Sequence, residues 1–175
     1  MWPGARLLIE YLVASEPHKP FDCALELGCG VGLVGLWAAS RGARVVLTDK
    51  AEMLPVARKN LELNVSAHGG LATVEELAWG SSPLGAAAAR CLDAALASRA
   101  GARVVLLASD CVYQVSLVAP FVETVGAVFA RAEAAGGRAE LLLSYKTRCV
   151  EAEGRLTELV RASLQSYNLM YKERW

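Results

Sequence analysis

Short apolar runs alternate along the chain with longer segments whose apolar residues recur every three or four positions. The runs predict β-strands at residues 23–27, 44–48, 72–77, 104–108, 139–144 and 168–172. The other segments predict helices at residues 7–12, 33–40, 53–64, 83–99, 118–135 and 151–164. Strands that alternate with helices predict an α/β fold in which a doubly wound, Rossmann-like parallel sheet carries helices on both faces.

One helical segment, residues 83–99, is unusually rich in alanine, which favours a helix. Its pattern leaves two interpretations open, a surface helix and a poorly ordered insertion. We treat residues 81–103 as an alanine-rich insertion within a single domain that spans residues 1–175. A chain of 175 residues is long enough to form one domain with a sizeable core.

Charge and cysteine content narrow the class of function. Eighteen acidic residues balance eighteen basic ones, so the composition lacks the electrostatic signature of a nucleic-acid binder. No apolar run reaches about 18 residues, which argues against a membrane span. The five cysteines are scattered and form no CxxC pair. They therefore argue against a metal site and favour reduced thiols in a cytosolic or nuclear protein.

A glycine-rich turn links the strand at residues 23–27 to the helix that follows it. The turn contains Gly28, Cys29, Gly30 and Gly32. Such a turn lets the backbone approach a ligand closely, with helix N–H groups aimed at it. Asp49 follows about twenty residues later, where a carboxylate can accept both hydroxyls of a ribose. Together these features predict a site for a nucleoside-containing cofactor.

Two classes of cofactor fit the turn. The spacing Gly28-x-Gly30-x-Gly32 fits a methyl-donor site, whereas Gly30-x-Gly32-x-x-Gly35 matches the dinucleotide fingerprint. Glu26 favours the methyl donor, because its charge would repel a pyrophosphate and suits the sulfonium and ammonium groups of S-adenosylmethionine. The alternative for Glu26 is a carboxylate that only caps the following turn.

Further candidate residues follow the later strands, at the sheet edge where α/β folds bind ligands. Trp79 is placed either to stack on adenine or to fill the core. Asp110 and Tyr113 are placed to face a substrate, although Asp110 is also placed to cap the next helix. Lys146 and Arg148 belong to a loop that either lines the pocket or is solvated.

Five motifs occur in an order that resembles methyltransferase family 16. They are Trp-Pro near the start, Leu-Glu-Leu-Gly-Cys-Gly-Val-Gly-Leu-Val-Gly, Gly-Ala-Arg-Val-Val-Leu-Thr-Asp, Leu-Ala-Trp-Gly and Ser-Asp-Cys-Val-Tyr. The family consists of seven-β-strand enzymes that use S-adenosylmethionine, most of which methylate lysine side chains of proteins. The resemblance runs from Trp2 to about Arg148 and implies a class I methyltransferase sheet.

The resemblance also implies a role for each matching residue. It places Asp49 on the cofactor ribose and Trp79 on the adenine, and it makes Ser109 the small residue that touches the cofactor. Asp110 and Tyr113 match the family's acid-x-x-aromatic motif, which abuts the target amine. The resemblance also implies that residues at the chain start and in the glycine-rich turn contact the cofactor: Trp2, Gly28, Cys29 and Gly30.

The chain departs from the family pattern in two segments. Residues 81–103 are longer and richer in alanine than the pattern. The family's sheet also ends in an antiparallel hairpin, whereas this chain has residues for only the first strand of that hairpin, at 168–172. We therefore expect either a complete sheet or one that lacks the last strand, which would leave residues 168–172 on an exposed edge.

The expected reaction is methyl transfer to a protein lysine by in-line displacement. A free lysine with a pKa near 10.4 is only about 0.1% neutral at pH 7.4, and only the neutral amine attacks. A desolvated channel lowers that pKa and aligns the nitrogen, the methyl group and the sulfur. Asp110 would orient the incoming ammonium, and Tyr113 would form a wall of the channel.

The expected partner is a protein substrate, such as a chaperone or a translation factor, and we expect a cytoplasmic or nuclear monomer. Two other functions stay open. One is a non-catalytic binding module with a methyltransferase-like fold. The other is an NAD-linked oxidoreductase that uses the overlapping glycine fingerprint, against which Glu26 and Trp79 argue.

Overall fold

A computed structural model describes residues 3–15, 21–80, 84–145, 150–163 and 168–171. These residues form a six-stranded sheet with helices packed on both faces. The strands, in chain order, are β1 (Cys23–Leu27), β2 (Arg44–Asp49), β3 (Ala72–Glu76), β4 (Arg103–Ser109), β5 (Arg138–Tyr145) and β6 (Asn168–Tyr171).

The sheet is parallel, with the strand order β3-β2-β1-β4-β5-β6. This order confirms the predicted doubly wound, Rossmann-like arrangement. The chain reverses its direction of winding between β1 and β4, and open α/β sheets bind their ligands at the carboxyl ends of the strands beside that point. The fold therefore places the candidate site at the ends of β1, β2 and β4.

Seven α-helices and one short 3-10 turn, Ala51–Met53, connect the strands in the described part of the chain. The helices are α1 (Pro3–Ser15), α2 (Leu33–Ser40), α3 (Leu54–Leu63), α4 (Val65–His68), α5 (Ala86–Ser98), α6 (Val115–Ala134) and α7 (Val150–Ser163). Helices α1, α2 and α3 cover one face of the sheet, and α5, α6 and α7 cover the other. Alternate residues of the central strands point into these two apolar layers, which explains why the strands read as continuous apolar runs.

The alanine-rich segment forms a core helix, α5, rather than a surface helix or a poorly ordered insertion. Its buried residues, Ala88, Leu92, Ala95 and Leu96, lie on one stripe that packs against the sheet. The Glu75 carboxylate caps the start of α5, because it accepts the N–H groups of two consecutive residues at 2.7 and 2.8 Å. The buried stripe consists largely of small alanines, so the sequence pattern shows it only weakly.

Helix α6 begins at Val115, three residues before the predicted start at residue 118, so Pro120 lies inside the helix and not in its first turn. Within the described ranges, α6 is the one helix long and apolar enough to cross a membrane by length and composition. Its apolar residues instead pack on the sheet, where Val118, Phe121 and Val125 are fully buried. Packing in the core therefore accounts for the apolar character of α6.

The last described strand, β6, lies parallel to β5 at the edge of the sheet. This confirms a strand near residues 168–172. In the part of the chain that the structure describes, no strand runs antiparallel to the others. The cysteines among the described residues, Cys23, Cys29, Cys91 and Cys111, are free thiols.

The burial of α5 leads to a test of its place in the core. Leu92 is fully buried on this helix, so Leu92→Ala should lower the free energy of unfolding by about 2–5 kcal/mol through lost apolar burial and a residual cavity. Urea denaturation measures this change. The matched control is Leu63→Ala, at a residue with 68% exposure, which should change the free energy of unfolding by less than about 0.5 kcal/mol. Equal effects of the two substitutions would contradict the assignment of α5 to the core.

Candidate functional site

The glycine-rich turn between β1 and α2 has a backbone that only glycine adopts readily. Gly28, Gly30 and Gly32 have φ angles of 66°, 53° and 76°, in the left-handed region. A Cβ atom on Gly28 would lie 2.7 Å from Cβ of Cys111. The N–H of Cys29 donates to the Thr48 carbonyl at 2.9 Å, which ties the turn to β2. The turn is therefore a rigid cradle at the carboxyl edge of the sheet.

Asp49, the last residue of β2, holds this cradle with both carboxylate oxygens. Its Oδ2 accepts the N–H of Gly30 at 2.8 Å, and its Oδ1 accepts the N–H of Lys50 at 2.8 Å. A carboxylate has about four acceptor sites, so each oxygen keeps capacity for one more donor. The half-buried carboxylate can thus bind a pair of neighbouring hydroxyl groups while it holds the turn.

Glu26 lies beneath the turn, with an exposure of only 2%. Its Oε2 accepts the N–H of Gly35 in the first turn of α2 at 2.9 Å. Burial raises the pKa of this carboxyl to about 8, although the N–H groups of Gly35 and Val34 lower it, and the Asp49 charge raises it further. Glu26 therefore has the capping role that the sequence left as its alternative.

This position of Glu26 also removes the electrostatic argument that favoured a cationic cofactor. With a pKa near 8, most of the carboxyl is protonated at neutral pH and exerts little repulsion on a phosphate. A direct contact between Glu26 and a cofactor stays a prediction. The choice of cofactor class consequently depends on other residues of the site and on the family.

Trp79 lies just after β3, where its indole borders the glycine-rich turn. A Cβ atom on Gly28 would lie 3.2 Å from Cζ2 of this ring. The half-buried indole also meets Phe121 edge to face, with the ring centroids 5.1 Å apart and an interplanar angle of 72°. Trp79 is thus a core aromatic on one side and a wall of the cradle on the other, so the two sequence interpretations are compatible.

Asp110 follows the end of β4 and has a strained backbone. Its φ of 54° is in the left-handed region, and among the described residues it is the non-glycine residue with this feature. Aspartate tolerates that region better than most residues, and such strain is concentrated at functional sites. Gln114 occupies the N-cap position of α6 and makes no side-chain hydrogen bond to the helix, so Asp110 lies four residues before that position.

Other predicted residues surround Asp110. Ser109, the last residue of β4, is half-buried beside it, and Tyr113, three residues after Asp110, is 43% exposed. Trp2, Lys146 and Arg148 lie outside the described residues, so their roles stay predictions.

The structure brings in three residues that the sequence analysis did not assign. Cys111 lies against Gly28, and burial raises the pKa of its thiol, as do the nearby charges of Asp49, Glu26 and Asp110. Gly4 and Ser144 contact the other side of Asp110. Cys111 was visible within the Ser-Asp-Cys-Val-Tyr motif, whereas Gly4 and Ser144 are far from it in sequence.

The site thus combines a backbone cradle, a carboxylate that holds it, an aromatic wall and a strained aspartate at one sheet edge. A family model described as lysine methyltransferase matches residues 1–162 of the chain. This match covers every motif that supported the resemblance to methyltransferase family 16.

Three curated relatives show the extent of similarity. Protein N-lysine methyltransferase METTL21A of Mus musculus is 39% identical over 83 residues, which are 47% of this chain and 38% of that protein. Histone-arginine methyltransferase METTL23 of Homo sapiens is 37% identical over 83 residues, 46% of this chain and 42% of that protein. EEF1A lysine methyltransferase 3 of Mus musculus is 37% identical over 83 residues, 46% of this chain and 34% of that protein. The chain therefore spans between 34% and 42% of the length of these relatives.

A solved structure supports the fold. Precorrin-6y C5,15-methyltransferase from Geobacter metallireducens superposes with a TM-score of 0.54 and 15% identity, and the match covers 91% of this chain and 69% of that one. Similarity at this level of identity concerns the fold alone. It confirms the predicted class I methyltransferase architecture.

The buried Glu26 carboxyl generates a prediction about stability and pH. The pKa is about 8 in the folded protein against 4.5 for an ordinary glutamate, so between these values the folded chain binds more protons than the unfolded chain. The contribution of Glu26 to the free energy of unfolding therefore falls as pH rises from 4.5 to 8. Glu26→Gln removes this dependence. The free energy of unfolding of the variant minus that of the wild type should therefore increase by roughly 3 kcal/mol between about pH 4.5 and about pH 7.

Urea denaturation at several pH values measures this difference. The matched control is Glu133→Gln, at an exposed glutamate of α6, which should leave the pH profile of stability unchanged. If the gap between Glu26→Gln and the wild type stayed constant with pH, the protonated state of Glu26 in the folded protein would be refuted.

Proposed function

Because the chain belongs to the lysine methyltransferase family, we propose that it transfers a methyl group from S-adenosylmethionine to a lysine side chain of a protein. The observation that carries this proposal is the pair Asp110 and Tyr113 at the end of β4, beside the turn that Asp49 holds. A methyl donor and an acceptor amine would meet at this point of the sheet.

The residues of the site fit this cofactor. The left-handed glycines leave room for the donor to approach the backbone, and the Asp49 oxygens keep acceptor sites for the two ribose hydroxyls. The Trp79 indole borders the same turn and is available to pack on adenine. When bound, S-adenosylmethionine supplies an electrophilic methyl group on a positively charged sulfur.

The protein's own contribution to the reaction is orientation and desolvation. Asp110 accepts hydrogen bonds from the incoming ammonium and fixes its direction of approach. The proton leaves to water before transfer, because only the neutral amine is a nucleophile, and a channel that excludes water favours that neutral form. Tyr113 forms one wall of the channel at its mouth. Alignment of this kind can supply about 7–11 kcal/mol of a reaction barrier.

The substrate class belongs to the same proposal. Two of the relatives are named for lysine methylation, and one of them for EEF1A, which supports a protein substrate. We propose that this substrate is a translation factor or a chaperone. One relative is named for histone arginine, so the labelled amino acid must be identified. We further propose a monomer in the cytoplasm or the nucleus, which the free thiols of the described cysteines support.

The proposed function is tested by methyl transfer with Asp110→Ala. Incubation with tritiated S-adenosylmethionine and cell extract should label a protein with the wild type, and hydrolysis should yield methyllysine. Loss of the orienting carboxylate should lower the initial rate by about 100-fold. Cofactor affinity, measured separately by calorimetry, should stay within about twofold. An unchanged rate with unchanged affinity would refute the role of Asp110, and label on arginine would refute lysine as the target.

A second prediction concerns the cofactor. Asp49→Ala removes two charge-assisted hydrogen bonds to the ribose and should weaken S-adenosylmethionine binding by about 10-fold to 100-fold in calorimetry. The matched control, Glu52→Ala, removes an exposed carboxylate three residues away and should leave the affinity unchanged. Tight binding of NAD with no binding of S-adenosylmethionine would instead favour the oxidoreductase alternative. Cofactor binding with no labelled product would favour the non-catalytic module.

A further inference from the structure

The first turn of α1 packs directly against Asp110. Gly4, which is buried, lies so close that an added Cβ atom would be 3.0 Å from Cβ of Asp110 and 3.2 Å from Oγ of Ser144. Both distances are shorter than ordinary van der Waals contacts. A larger residue at this position would therefore require Asp110 and Ser144 to shift by a few tenths of an ångström.

Ser144, near the end of β5, joins α1 to the same aspartate by two hydrogen bonds. Its hydroxyl donates to the Gly4 carbonyl at 2.8 Å, and its carbonyl accepts the N–H of Asp110 at 2.9 Å. Ser144 is fully buried, so neither bond competes with solvent. One residue thus contacts the backbone of both partners.

These contacts bear on a residue whose backbone is strained. Asp110 has a φ of 54°, and a non-glycine residue keeps such a conformation only where its surroundings hold it there. The hydrogen bond from the Asp110 N–H to the Ser144 carbonyl holds Asp110 from the β5 side. The tight contact with Gly4 holds it from the α1 side. The direction of the carboxylate therefore depends on both neighbours.

We propose that Gly4 and Ser144 are positioning residues that fix the Asp110 carboxylate for the incoming amine, which makes the first turn of α1 part of the substrate site. This inference rests on the proposed function, because it assigns Asp110 to orient that amine. Gly4 and Ser144, 140 positions apart in sequence, thus act together on the Asp110 carboxylate.

The test compares two pairs of matched variants. Gly4→Ala places a Cβ atom against Asp110, whereas the control Gly126→Ala adds one in α6, where no atom lies within 4 Å. Ser144→Ala removes the bond to α1, whereas the control Ser98→Ala removes a hydroxyl bonded to the Ala95 carbonyl at the end of α5. Alanine is a better helix former than glycine, so helix propensity alone predicts no loss in Gly4→Ala.

The measurement is tritium transfer from saturating S-adenosylmethionine to cell-extract protein, with a dilution series of the extract to separate kcat from apparent KM. Saturating cofactor keeps any change in its affinity out of the comparison. Gly4→Ala and Ser144→Ala should each lower kcat by about 10-fold, since a displacement of less than 1 Å at a reacting group is costly. The double variant should lose less than the product of the two effects, because both act through Asp110. Both controls should stay within about twofold of the wild type.

Melting temperatures, recorded for every variant, separate positioning from simple stability. Normal kcat and KM in both Gly4→Ala and Ser144→Ala, well below their melting temperatures, would overturn the inference even if both variants were less stable. If Gly4→Ala does not fold, Ser144→Ala decides the question alone, because it removes one atom and adds none. A wild type that transfers no methyl group overturns the proposed function and this inference together, whereas an active wild type with unaffected variants overturns this inference only.

Discussion

Hydrogen bonds from backbone N–H groups to two carboxyl groups hold the turn between β1 and α2, and the rest of the site depends on them. Glu26 accepts the N–H of Gly35 from below, and Asp49 accepts the N–H of Gly30 from the side. A turn built from left-handed glycines has few internal hydrogen bonds, so its buried N–H groups need partners from elsewhere. The strands supply those partners, and the cradle consequently has a fixed shape before any ligand arrives.

The parallel sheet explains why the chemical groups of the site meet. Parallel strands end at one edge, and the change in winding direction leaves a crevice between the helices there. Asp49 ends β2, whereas Trp79 and Asp110 follow β3 and β4, and none of the three needs a long loop to reach that crevice. The opposite ends of the strands carry surface ion pairs such as Arg99 with Asp22. The candidate site therefore lies at the edge of the sheet opposite this ion pair.

The sequence predicted the elements well because burial on both faces of a parallel sheet leaves a plain apolar run for each strand. Residues 23–27 and 33–40 match β1 and α2 at both ends. The sequence predicted the residues of the candidate site less completely. The role of Glu26 depends on an N–H that only the folded turn brings near, and Gly4 meets Ser144 across most of the chain. Local patterns contain no signal for such contacts. Helix α5 was ambiguous because alanine contributes little to an apolar stripe.

The left-handed backbone at Asp110 has an evolutionary consequence. A β-branched or bulky side chain is disfavoured at such a φ, and glycine, asparagine and aspartate are the residues that fit it with little strain. Of these three, aspartate alone carries a negative charge. The shape of the main chain and the proposed role of the carboxylate thus favour the same amino acid for separate reasons. We therefore expect few substitutions to be tolerated at this position, because a replacement would have to satisfy both the backbone and the chemistry.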